Sequence, residues 1–488
     1  MGFDEVYGQI GQFGAYQRRV LIFLSIICMS AGFYAFFPVF GDTEPQAWFC
    51  RGTEDQTDKG MNEDEKCKLW SNGGCLPNYQ AERESTVTEW NLICHDHWKK
   101  GLPVSAMFVG VGVGSWLSGY LSDCFGRRLV ALWSFALATL ACFLTAFTWS
   151  LMTYTIARFI QGVVAAGLVP VPFVLIGELV GASTREMCGN VLQAMFAVGM
   201  LILCGLALMI KNWRTLAIVC SLLASISIPI LWRQIPESPR WLLLQGRKSE
   251  CDQLLKLIAV TNGASGVDID VDSTETNNSN GGEQLKDGVV DLFKNSVMRR
   301  RIIVMLLYWF AASLNYYGLS MNASVGSNMY VSFFCASIVE FPSYIASSWL
   351  LRLQGRRKST AFFTALGCLS LLVCVFLVSG NVSRDSTLLS FSMLAKFGLG
   401  STFANLYVYG GELAPTSVRN MTIGILSIGA RVGGVVLPFV MMLDKISKSL
   451  PYAVFGVSAL LALLAGLLLP ETMNKELPQT LDDLLDGR

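Results

Sequence analysis

Charge is scarce in this chain. Only 15% of its 488 residues are Asp, Glu, Lys or Arg, where soluble domains carry roughly 25%. Histidine is scarcer still, with His95 and His97 alone. No nucleophile–base pair is evident, so no enzyme is expected. Phosphate-binding loops are missing too: GVGVG (110–114) and QGRRKST (354–360) both lack the required glycine spacing. A net charge of +1 offers no basic surplus to suggest nucleic acid.

What remains is apolar. Hydrophobic residues make up 52% of the chain and mean hydropathy is +0.47, the composition of a multi-pass membrane protein. Twelve windows reach bilayer-spanning length, about 20 residues each. Six lie near 20–40, 102–122, 129–149, 151–176, 188–210 and 214–234. Six more lie near 301–320, 328–351, 359–379, 386–409, 421–443 and 451–470. The first is too long for a signal-peptide core and lacks a convincing cleavage site, so it reads as a retained helix. With twelve spans, the basic clusters Arg18-Arg19, Arg127-Arg128, Arg299-Arg300-Arg301 and Arg356-Arg357-Lys358 share one side. Both termini are then expected in the cytosol, against the minor bias of Lys445 and Lys448.

The windows divide six and six. An N-terminal bundle (1–235) carries a polar outer loop (41–100), a cytosolic insert covers 236–300, and a second bundle with its tail covers 301–488. The insert reads as short helices around a flexible, Asn/Ser/Gly/Asp-rich stretch at 261–288. Internal echoes support duplication: GYLSDCFGRR (119–128) matches LLRLQGRR (350–357), and GELVGASTRE (177–186) matches GELAPTSVRN (411–420). Paired halves with a midplane site between them suit a secondary transporter. The echoed loops read as a gate, formed by Asp123, Gly126, Arg127, Arg128, Glu178 and Arg185 and by Gly355, Arg356, Arg357, Glu412 and Arg419. In the outer loop, Cys50, Cys67, Cys75 and Cys94 suggest two disulfides, in any of three pairings. A zinc site at CHDH (94–97) is the weaker alternative, because no regular C-x-x-C spacing accompanies it.

Four charges fall inside spanning windows: Arg158, Glu340, Lys396 and Arg431. A permanent charge there costs about 2.5–3.5 kcal/mol on insertion scales, so each is expected to be paired or to face a watery cavity. Glu340 and Arg431 both belong near the midplane of the second half. Facing one cavity, Glu340 supplies a negative pole and Arg431 a fork for a carboxylate. Tyr308, Trp309, Tyr316 and Tyr317 add cation–π surfaces for an ammonium. The competing reading is a static Glu340–Arg431 pair; it is the weaker one, since a permanent buried pair gains little over apolar packing. Lys396 is a candidate counter-charge for Glu340, Arg158 a packing or coupling residue, and Gln161 a path-lining or cross-helix group. The glycines of GVGVG are expected to serve close helix packing.

Several of these segments resemble a known family. GYLSDCFGRR and RFIQG (158–162) resemble signatures of the major facilitator superfamily. TEWNLICHDHW (88–98), PESPRWLLLQGR (236–247) and GELAPTSVRN resemble those of solute carrier family 22. VEFPSY (339–344) and the Arg431 segment are similar to the organic cation/carnitine branch. The resemblance implies an all-α fold of twelve transmembrane helices in two pseudo-symmetric bundles. It also implies alternating access and a cavity lined by Trp309, Tyr316, Glu340 and Arg431. The cation branch has an aspartate in place of Arg431, and the anion branch a lysine in place of Tyr344, so this chain departs from both. Tyr317, Tyr344, Lys396 and Gln161 join the candidate substrate-binding set. The expectation is a monomeric plasma-membrane transporter of a small organic ion, carnitine-like or betaine-like compounds first. An organic anion exchanger and a non-transporting receptor or scaffold are the alternatives. No cofactor is expected, and coupling to sodium or protons stays open.

Overall fold

The computed structural model describes residues 3–51, 62–73, 75–264, 289–322, 328–380, 385–415 and 418–473. The first half comprises α1 (Ala15–Gly41), α2 (Leu102–Phe125), α3 (Arg127–Thr145), α4 (Leu151–Leu179, interrupted before Pro170), α5 (Arg185–Met209) and α6 (Trp213–Gln234). The second comprises α7 (Ser296–Met321), α8 (Met329–Gln354, with a turn at Val339), α9 (Arg356–Ser379), α10 (Asp385–Leu413), α11 (Arg419–Met441) and α12 (Leu450–Gly466). Among the described residues, ten helical spans are long and apolar enough to cross a membrane; α10 (29 residues) and the 17-residue α12 fill the other two expected windows. The insert resumes as a short helix, Val289–Lys294, as expected, while most of the stretch expected to be flexible lies outside the described residues.

The break in α8 has a local cause. Pro342 lacks an N–H, and its ring clashes with the carbonyl four residues back, that of Ile338. The first segment therefore stops at Ile338 and a second starts at Glu340. This puts the Glu340 carboxylate in the first turn of a helix, where unpaired amides and the helix dipole favour negative charge.

Glycines let the helices touch backbone to backbone. A Cβ at Gly110 or Gly114 of α2 would lie 2.2 or 2.0 Å from a carbonyl of α4, and one at Gly162 of α4 would meet Met107. The GVGVG segment is thus a packing device, as expected. The pairing of α1 with α5 repeats the device at Gly32 and Gly199, and α7 with α11 at Gly429 and Gly433.

The outer loop folds as an antiparallel hairpin of β1 (Ala47–Arg51) and β2 (Leu76–Gln80). The disulfides are Cys50–Cys75 and Cys67–Cys94, with Cα atoms 5.4 and 5.6 Å apart. Cys94 is therefore no free thiolate for a zinc site, and His97 lies instead 2.9 Å from Glu44. The loop also buries Arg83 between the halves, where it donates to the Phe40 carbonyl and the Tyr330 hydroxyl.

Among the described residues the halves meet along two long seams, with Phe36 and Phe40 of α1 also packing on Tyr317, Phe333 and Tyr330. Along α5–α8 they touch at Cys204 with Tyr330, Asn190 with Ser348, and Glu186 with Arg352. Along α2–α11, Ser105 donates to the Val435 carbonyl, Phe108 packs where Gly434 is bare, and Gly112 faces the Arg431 stem. Beyond these contacts Trp116 and Ile428 are exposed. Arg431 therefore stands where the second seam parts.

The packing argument separates two neighbouring glycines. Gly110→Val drives a side chain into the α4 backbone and is expected to abolish the monodisperse detergent-extracted protein, whereas Gly119→Ala, with open space around it, leaves it intact. Size-exclusion profiles of the two variants check this.

Candidate functional site

Glu340 is the hub of the second half. Its Oε1 accepts from Lys396 Nζ and from the Tyr316 hydroxyl, each at 2.7 Å. Its Oε2 accepts from the Tyr344 hydroxyl at 3.0 Å. Lys396 also donates to Ser320, and its ammonium sits 3.7 Å from the centre of the Tyr316 ring. Glu340 and Lys396 are only 2% and 1% exposed. The counter-charge of Glu340 is thus Lys396, and no Glu340–Arg431 ion pair occurs among the described residues.

Beside this cluster stands an aromatic wall. Tyr316 stacks on Phe403, with centroids 5.4 Å apart, and meets Tyr317 edge to face at 5.1 Å. Trp309 meets Tyr407 at 4.5 Å and Phe403 at 6.1 Å. Phe36 and Phe108 of the first half close onto Tyr317. Arg431 lies close to Tyr317 and Tyr407. Arg431 is half-buried, its Nε has no hydrogen-bond partner, and among the described residues no carboxylate pairs with it.

Seven of the eight expected substrate residues therefore gather in one region: Trp309, Tyr316, Tyr317, Glu340, Tyr344, Lys396 and Arg431. Gln161 stands apart. Its Oε1 accepts from Arg158, 2.5 Å away, within a first-half cluster that includes Met107 and the Tyr34 carbonyl. Phe403 and Tyr407 escaped the sequence reading, although their spacing from Lys396 by seven and eleven residues places all three on one helix face.

The loops expected to form a gate share one arrangement in the two halves. Arg127 pairs with Asp123 at 3.1 Å and with Glu178 at 3.2 Å; Arg356 pairs with Glu412 at 2.8 Å. Arg128 and Arg357 each donate to a carbonyl at the end of the neighbouring helix, Trp232 and Leu467. Arg185 donates to the Gly177 carbonyl, and Arg419 lies over the equivalent Gly411. Two acids not singled out from the sequence complete it. The Glu237 carboxylate accepts from the Arg127 and Arg128 amides, and that of Glu471 from the Arg356 and Arg357 amides. Gly126 and Gly355 adopt positive φ of 98° and 89°, and a Cβ on either would strike that carboxylate. The signal was the repeated Pro-Glu pair, at 236–237 and 470–471.

Comparison with known proteins gives a consistent picture. The family model for sugar (and other) transporters matches residues 62–481. A solute carrier family 22 member 15-like protein of Xenopus tropicalis is 32% identical, covering 99% of this chain and 96% of that protein. Organic cation/carnitine transporter 2 of Homo sapiens is 29% identical over 99% and 94%. Among solved structures, the inward-open xylose transporter XylE of E. coli superposes with a TM-score of 0.68 at 16% identity, over 96% of this chain and 99% of that one. The fold is that of the major facilitator superfamily.

Two outcomes test the site's electrostatics. Lys396→Ala strands a buried carboxylate and is expected to cost about 3–5 kcal/mol, while adding Glu340→Gln recovers most of it; unfolding in detergent reads both. For Glu471, burial raises the carboxyl pKa but the surrounding backbone amides lower it more, leaving it below the ordinary glutamate value. Its contribution to stability is therefore complete above about pH 4.3, and is lost as pH falls through the lowered folded value. Glu471→Gln should accordingly destabilise at neutral pH and match the parent protein in strong acid, as melting curves across pH would show.

Proposed function

The chain belongs to solute carrier family 22 within the sugar (and other) transporters, and from that premise we propose that its substrate is a small zwitterion of the carnitine or betaine kind. It is a multi-pass membrane protein of an organic ion transporter family. We place it in the plasma membrane, working by alternating access.

One observation carries the zwitterion reading: Arg431 has no carboxylate partner among the described residues, and it stands where the α2–α11 seam parts. Guanidinium cannot shed its proton, so the missing negative charge is supplied by solvent or by a substrate carboxylate. The Trp309, Tyr317, Phe403 and Tyr407 rings then offer faces for the substrate's other end. Lys396 already stands on Glu340 and over Tyr316, the position suited to a substrate ammonium. It acts as a tethered cation that an incoming ammonium displaces from the carboxylate. The likeness to organic cation/carnitine transporter 2 points the same way.

A second reading has its own support. Because Lys396 neutralises Glu340, Arg431 leaves the region with a surplus positive charge, which suits an organic anion. Proteoliposome uptake of carnitine, tetraethylammonium and p-aminohippurate, with and without a sodium gradient, separates the two. Carnitine uptake is expected, and Arg431→Ala should reduce it at least about tenfold while leaving tetraethylammonium uptake unchanged. Carnitine uptake that survives the substitution overturns the role of Arg431. Preference for p-aminohippurate over carnitine establishes the anion reading.

A further inference from the structure

The gate ends of α9 and α12 enclose a groove of about 590 Å³ on the outer face of the second half, lined by Arg357, Lys358, Phe362, Ala365, Leu463 and Leu467. Both of its walls belong to the helical bundle, so in a bilayer the groove opens onto lipid rather than bulk water. Its apolar part is exposed, with Phe362 and Leu467 at 53% and 44%. Its polar end is basic. Lys358 is exposed, and among the described residues its ammonium has neither ion pair nor hydrogen bond. Glu471 borders the groove, but its carboxylate is already occupied by the amides of Arg356, Arg357, Thr472 and Met473.

The duplicated architecture provides an internal control. In the first half, Arg128 donates to the Trp232 carbonyl just as Arg357 donates to that of Leu467. There the corresponding face is filled by Trp133 and Trp232, packed edge to face with centroids 5.6 Å apart. Counting from the GRR motifs, Trp133 corresponds to Phe362 and Leu129 to Lys358. At the end of α12, Gly466 and Leu467 stand near the place of Trp232. The second half thus lacks the indole pair that fills the space and has a cation at its rim.

We propose that this groove is a binding site for an anionic phospholipid of the leaflet on the gate side. The headgroup phosphate is held by Lys358 with the remaining donors of Arg357, and one acyl chain runs over Ala365 between Phe362 and Leu463. The adjoining gate residues Arg356 and Arg357 link lipid occupancy to the ends of α9 and α12.

Native mass spectrometry of the purified full chain, titrated with phosphatidylglycerol or phosphatidylcholine, tests this. Phosphatidylglycerol is expected to bind about fivefold or more tightly than phosphatidylcholine. Lys358→Leu, which copies the first half, should erase that preference, and Ala365→Phe should remove the bound lipid. Soluble glycerophosphate should fail to compete. Equal binding of the two lipids by the parent protein overturns the proposal whether or not the variants fold. So does an undiminished preference in Lys358→Leu, or displacement by glycerophosphate, which would mark a bare phosphate site.

Discussion

A charge inside hydrocarbon has no solvent to answer it, and the second half of this protein is organised around that constraint. Glu340 meets it through four local arrangements. Pro342 breaks α8 so that the carboxylate starts a new helix segment, Tyr316 and Tyr344 donate hydroxyls, and Lys396 supplies the opposite charge. The tyrosines do double service, since the ring that donates from its hydroxyl also offers its face to the ammonium. Such a pair seldom stabilises more than apolar packing would. Its place beside an aromatic wall and near an uncompensated guanidinium is better explained by exchange of partners than by fastening.

Symmetry explains the paired loops expected to form a gate and also where the halves diverge. Both halves use one construction: a positive-φ glycine, a carboxylate capping the next helix, and an arginine pairing with the acid of a Gly-Glu-Leu segment. Three residues before the turn glycine the first half has Asp123, which pairs within its own loop; the second has Arg352, which crosses to Glu186 of the other half. The two corners share one construction, and the residue three before the turn glycine makes one of them a contact between bundles.

Much of this was legible in the residues. Apolar length located the helices, paired arginines located the two matching loop corners, and bilayer charges located the buried polar cluster, because each reflects a transfer cost that acts locally along the chain. Two kinds of feature were not. The disulfide pairing depends on how the outer hairpin folds back, which four cysteines alone leave undetermined. The choice of partner for Glu340 depends on helix rotation: Lys396 and Arg431 lie 56 and 91 positions away in the chain, and only packing decides which one reaches it. Phe403 and Tyr407 were hidden for a related reason, as aromatics in an apolar helix carry no mark of the face they occupy until Lys396 is known to point inward.

The position of Arg431 follows from the same electrostatics. Within the closed stretch of α2–α11, Gly434 is bare to admit Phe108 and Ser105 hydrogen-bonds across to Val435, so the interface is too tight for an unpaired guanidinium. One turn further, facing Gly112, the seam ends. On the proposed alternating-access cycle, an arginine there would stay hydrated while the halves part and lose that water when they close. Closing over an empty site would desolvate an unpaired cation, whereas closing over a bound carboxylate would not. The cost of burying one charge would then favour the loaded carrier over the empty one at the step proposed to occlude the path.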